Sequence, residues 1–163
     1  MTQADFETFL NDPTKSIGDH PPRWTAKPNH PALLFFHADF LGESAEDMFL
    51  EGSWNRKKGT VSFTICHRGT RSRHGRMGQR VYSLDLGVEH PNPDKTVCGS
   101  PHKHRWKEDL RLYGFPGCPE PCWGDEEAYV PTDITATVAD PAGLWREFCA
   151  EAGIIHTGPI VAA

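Results

Sequence analysis

The stretch HPNPDKTVCGSPHKHRW, residues 90 to 106, gathers three histidines and a cysteine among prolines, a set that can hold a metal or move protons. Zinc is the first chemistry it suggests. Cys98 and His102 stand four apart, Cys118 and Cys122 do the same, and fifteen residues separate the two pairs. Two soft or borderline ligands on each of two tight turns suit a tetrahedral structural zinc site. The prolines and glycines of GFPGCPEPCWG (114–124) would let the backbone wrap an ion, and His104 competes with His102 as ligand. The plainer alternative is separate buried thiols beside a surface proline loop.

Proton transfer is the second chemistry. Metal-independent RNA cleavage needs a base for the 2′-hydroxyl, an acid for the leaving oxygen and a cation for the phosphate. On this reading His90, His102 and His104 carry the protons. Arg80, Lys103 and Arg105 hold phosphate, and Trp106 stacks on a base. The alternative is that some of these histidines are hydrogen-bonded core or surface residues. The third reading is interaction without chemistry, by a basic loop and an aromatic strand face.

Charge distribution bears on all three. The chain carries a net charge of −5, which by itself argues against non-specific nucleic-acid binding. Yet no Asp or Glu occurs from Gly52 to Leu84, where Arg56, Lys57, Lys58, Arg68, Arg71, Arg73, Arg76 and Arg80 lie together. The rest of the chain holds nine of the 17 Lys/Arg against all 22 acids. A basic face on an acidic body is a phosphate-binding footprint; a solvated basic loop paired with acidic neighbours is the alternative.

The elements that must position these residues read as follows. Thr2 and Asp5 mark a helix start, Phe6, Phe9 and Leu10 share its face, and Asp12-Pro13 ends it. Residues 12–31, with five prolines, read as irregular. Strands are expected at 32–40, 46–54, 60–68 and 80–87, with a basic loop at 69–79 and a turn at 91–94. A strand through 100–107 puts His102, His104 and Trp106 on one face and Lys103 and Arg105 on the other. Asp140 and Pro141 open a C-terminal helix along Leu144, Trp145, Phe148 and Cys149, and Gly153 follows its end. The fold class implied is α+β, a mainly antiparallel sheet with a helix at each end of the chain, in a single domain over residues 1–163.

At 163 residues the chain is long enough for a real core. Its longest apolar run, Ala32–Phe36, is too short to cross a bilayer, and MTQADFETFL is not a secretory leader. Five cysteines, an odd number, imply reduced thiols or metal ligands and a cytoplasmic location.

From about residue 46 to 155 the chain resembles a family of uncharacterised bacterial and phage proteins. The likeness rests on RVYSLDLGVEHPNPD, then SPHKHRW, then LWREFCAEAGI, with His90, Asn92, Pro93, Asp94, His102 and His104 on the positions of an H-x-N-P-D…H-x-H pattern. Lys95, Trp106 and Ser83 depart from that pattern, and the CPEPC knuckle looks like an insertion. The family implies no activity. More distantly, a histidine–asparagine turn before an H-x-H strand is similar to the barnase/colicin-type ribonuclease toxins. The leading expectation is therefore a mobile-element-type protein acting on nucleic acid, RNA above all, as a metal-independent endoribonuclease. Its partners would be nucleic acid or a nucleic-acid-handling protein complex, with no membrane involved. Arg68, Arg71, Arg73, Arg76 and Arg80 would grip phosphate. The alternative is a non-enzymatic, anti-CRISPR-like phage inhibitor of a nucleic-acid-handling complex, with a structural zinc held by Cys98, His102, Cys118 and Cys122.

Overall fold

A computed structural model describes residues 2–18, 22–71, 77–91, 97–105, 127–129 and 140–155. The first helix, α1 (Gln3–Asn11), begins in a capping box. The Thr2 hydroxyl accepts from the Asp5 amide at 3.2 Å, and the Thr2 amide donates to the Asp5 carboxylate at 2.7 Å. Phe6 and Phe9 on its inner face are fully buried. The chain leaves the helix at Asp12 in extended conformation, as expected before a proline.

Lys15 then does what a glycine often does at a helix end. Its buried ammonium donates to the carbonyls of Leu10 (2.7 Å) and Asp12 (2.9 Å), groups that the end of α1 leaves without helical partners. Ser16 exchanges backbone bonds with Leu41, and the Lys15 carbonyl accepts from Ile155, so one short segment ties both chain ends together. Gly153 makes this possible: its φ is +62°, and a Cβ there would lie 3.0 Å from the Lys15 ammonium. Lys15→Met keeps the stem and loses the bonds. It is expected to cost about 2 kcal/mol in urea unfolding; a loss under about 0.5 kcal/mol would mean water satisfies those carbonyls equally well.

Seven antiparallel strands form the main sheet. They are β1 (Thr25–Lys27), β2 (His30–Asp39), β3 (Met48–Asn55), β4 (Thr60–Arg71), β5 (Met77–Leu86), β8 (His102–Arg105) and β9 (Glu127–Tyr129), lying side by side in that order. A separate two-stranded ribbon pairs β6 (His90–Pro91) with β7 (Val97–Cys98). Alternation sends Leu34, Phe36, Leu50, Val61, Phe63, Ile65 and Leu84 to the core face. There they meet α1 and the second helix, α2 (Pro141–Glu151), whose Trp145 and Phe148 rings lie 5.2 and 5.6 Å from Phe63. The Asp140 carboxylate caps α2 by accepting from the Gly143 amide at 3.0 Å. Gly52 faces Phe36 so closely that a Cβ would fall 2.1 Å from the ring.

The architecture is the α+β arrangement expected, with three local differences. The segment at 12–31 is not wholly irregular, since it contains β1 and the start of β2, and Trp24 is a core residue. The basic loop expected at 69–79 is shorter, because β4 runs to Arg71 and β5 starts at Met77. Pro91, expected in a turn, belongs to β6, and positions 92–94 lie outside the described residues. The knuckle at 114–124 lies outside them too. Among the described residues no helix is long and apolar enough to cross a membrane.

Candidate metal centre

The face of the sheet opposite the helices carries the polar alternates of three neighbouring strands. Ser62 on β4 pairs with Asp85 on β5, which pairs with His102 on β8; one step along, Thr64, Ser83 and His104 repeat the row. Asp85 and His102 are thus direct cross-strand partners, and Asp85 and His104 are diagonal neighbours, close enough for long side chains to meet. Both histidines are fully buried and Asp85 is 7% exposed.

Three donor atoms converge there. His102 Nε2 and His104 Nε2 lie 3.1 Å apart, and Asp85 Oδ2 lies 3.7 Å and 3.3 Å from them. A tetrahedral zinc ion with bonds of about 2.0–2.1 Å separates its ligand atoms by about 3.3 Å, so the spacing fits. The backing bonds fit as well. Gly99 O can only accept, so His102 Nδ1 carries a hydrogen and donates to it at 3.0 Å, which turns the Nε2 lone pair inward. Ser62 donates to Asp85 Oδ1, leaving Oδ2 toward the histidines. The group Asp85, His102 and His104 can therefore hold a metal ion. Two imidazoles and a carboxylate suit zinc or another first-row transition metal better than magnesium or calcium.

Arg80 reaches the same carboxylate oxygen, with Nη1 3.4 Å from Asp85 Oδ2 and 3.5 Å from the Ser83 hydroxyl. A β-bulge puts it there. Ile65 pairs with Tyr82 but Cys66 pairs with Arg80, so Val81 is an extra residue. Val81 and Tyr82 are both buried in the core, and Arg80 is re-aimed to the face of Ser83 and Asp85.

Electrostatics follow from burial against contacts. Burial pushes the Asp85 carboxyl up, but bonds from His104 and Ser62 and the charge of Arg80 outweigh it and hold it below the ordinary carboxylate range. Burial pushes His102 down more than the Asp85 charge lifts it, which favours the neutral, metal-binding form. Burial lowers His67 in the same way. A base with a depressed folded pKa adds stability fully above its unfolded pKa and loses it as pH falls toward the folded one. In chelator, thermal stability is therefore expected to drop on acidification below about 6.5, the ordinary value for both histidines. A second drop is expected below 3.8, the ordinary value at which these carboxyls take up protons in the unfolded chain, while Asp85, Asp5 and Asp12, the last held at about 2, keep their charge longer in the folded one. Melting temperatures that stay level between pH 7.5 and 5.5, the window set by the histidine reference value, would contradict the first step.

The remaining residues singled out from sequence are dispersed. Cys98 is buried in β7 opposite His90, outside the three-residue group. Cys118, Cys122, Arg73, Arg76 and Trp106 lie outside the described residues, and His90 and Arg71 are placed by backbone pairing alone. Lys103 points to the core face and binds Glu151, which also accepts from the Tyr82 hydroxyl at 2.7 Å. Arg105 lies over the Phe6 ring, 5.7 Å from its centre. Arg68 binds Asp39 and lies 5.3 Å from the centre of the Phe49 ring. Asp85 had not been singled out; the available signal was the one acid in β5, in step with Ser83 on the polar alternates.

Beyond this centre, β4 and β5 form a basic arm. β4 continues past His67, the residue paired with the start of β3, and is still paired with β5 at Arg71 and Met77; among the described residues β8 pairs with β5 as far as Tyr82. Fold and site together define an α+β sheet protein with a buried centre of two histidines and one carboxylate. Comparisons of the chain with protein-family models, curated proteins and solved structures returned no match.

Proposed function

We propose that the chain is a zinc-stabilised nucleic-acid-binding protein that holds phosphate with its β4–β5 arm and does no chemistry on it. The observation that carries the zinc is the convergence of three donor atoms within 3.1–3.7 Å of one another, with His102 aimed by Gly99 and Asp85 by Ser62. A pair of histidines cleaving RNA would stand on opposite sides of the phosphate, each within hydrogen-bond reach of a substrate oxygen. His102 and His104 stand 3.1 Å apart and are shut from solvent, a geometry that favours coordination over acid–base catalysis.

Phosphate binding is supported by the arm. The β4–β5 ribbon continues past the end of β3, Arg80 lies on it beside the centre, and Arg71, Arg73 and Arg76 are close together in the sequence; β-ribbons of this kind enter nucleic acid. Its ligand is the phosphodiester backbone, common to RNA and DNA. Two measurements test the reading. Native mass spectrometry of untagged protein should find one zinc per chain. Fluorescence anisotropy should find salt-sensitive binding to single-stranded RNA or to duplex DNA, and the better probe names the source. Metal-free protein, or no binding to either probe at about 50 mM salt, would reject the corresponding half.

A further inference from the structure

Asp85 Oδ2 faces two kinds of cation. On one side are the two histidine nitrogens at 3.3 and 3.7 Å, where a metal would sit; on the other is Arg80 Nη1 at 3.4 Å. The bulge at Val81 is what brings Arg80 to this oxygen. A divalent ion bound to Oδ2 draws on the same lone pairs as the guanidinium and repels its charge at short range in a poorly solvated site. The Arg80 side chain is 30% exposed, so it has a path to water, whereas the Asp85 side chain is only 10% exposed and the histidines are fully buried.

We infer that the metal gates Arg80: with the centre filled, the guanidinium leaves Asp85 and turns to solvent, where it adds a cation for phosphate to meet. The inference rests on the zinc and phosphate readings above and adds regulation to them. Apoprotein keeps Arg80 against Asp85 and presents one fewer cation to a polyanion. Metal-loaded protein turns that cation outward. By linkage the effect runs both ways, so a bound polyanion holds Arg80 off Asp85 and tightens the metal.

Two titrations on the intact chain test this. In the first, zinc affinity is measured by competition with a chromophoric chelator, without nucleic acid. Arg80→Gln should bind zinc at least about fivefold more tightly than the native chain, the low end of ordinary couplings between sites. Equal or weaker zinc binding would overturn the gate. In the second, single-stranded RNA and duplex DNA are titrated with and without zinc. The native chain should bind its better probe at least about fivefold more tightly with zinc, and with a salt slope steeper by about one ion. Arg80→Gln should show neither change. A native affinity indifferent to zinc would overturn the gate while leaving the zinc site standing. Absence of any zinc binding would instead remove the reading beneath it. If neither nucleic acid binds, the first titration still decides whether Arg80 competes with the metal.

Discussion

Replacing His104 by alanine is expected to abolish zinc binding and, with it, the metal's contribution to stability. At free zinc near a thousand times its dissociation constant, a site present only in the folded chain adds about 4 kcal/mol to unfolding. The native protein should gain that increment on going from chelator to zinc, and His104→Ala should gain almost none. In chelator the substitution itself should cost less, about 1–3 kcal/mol, for the bond that Asp85 loses. The metal-dependent increment is the quantity to read, because a general packing defect lowers both conditions alike. Asp85→Asn should remove most of the same increment, since it keeps the shape but discards the charge that the ion needs. A native melting temperature that ignores both zinc and chelator would make the centre a hydrogen-bonded triad instead.

The second large effect is expected at the arm. Arg71→Gln, Arg73→Gln and Arg76→Gln together remove three cations from a window that holds no acid. If each contacts a phosphate, the slope of log affinity against log salt should shrink by about three. At 0.1 M salt the loss should reach roughly 100-fold, with no change in melting temperature. Arg68 is left in place because it binds Asp39 at the root of the hairpin. An unaltered salt slope would place the polyanion elsewhere on the chain, and equal loss of thermal stability would make the arm a folding element.

Much of the framework is legible in the chain itself. Thr2 and Asp5, then Asp140 and Pro141, mark helix starts because their side chains or ring suit the unpaired amides there. Val61, Phe63 and Ile65 alternate with Ser62 and Thr64, which sets both the strand and its two faces. The pairing of His102 with His104 on one face follows from the same period of two, as does the opposite aim of Lys103.

Less of the centre was legible. The zinc reading of Cys98, His102, Cys118 and Cys122 rests on proximity along the chain, and its last two members lie outside the described residues; the carboxylate that meets the histidines is Asp85, seventeen positions before His102. Its step with Ser83 on β5 marks it as a polar alternate and no more; it meets the histidines because β5 and β8 pair in a register that sets Asp85 across from His102. Lys15 is a similar case, since an isolated lysine after Asp-Pro carries no sign that it will be buried over the end of a helix.

The sequence by itself determined the helices, the strand alternation, the acid-free basic window and the common face of His102 and His104, all of which depend on neighbours a few positions apart. Tertiary structure decided which carboxylate joins those histidines and which way Arg80 points. Strict alternation would have sent Arg80 into the core with Tyr82 and Leu84; one bulged residue, Val81, reverses it. The bulge and the β5–β8 register exist only in the pairing of one strand with another, and a one-residue change in pairing sends a side chain to the opposite face.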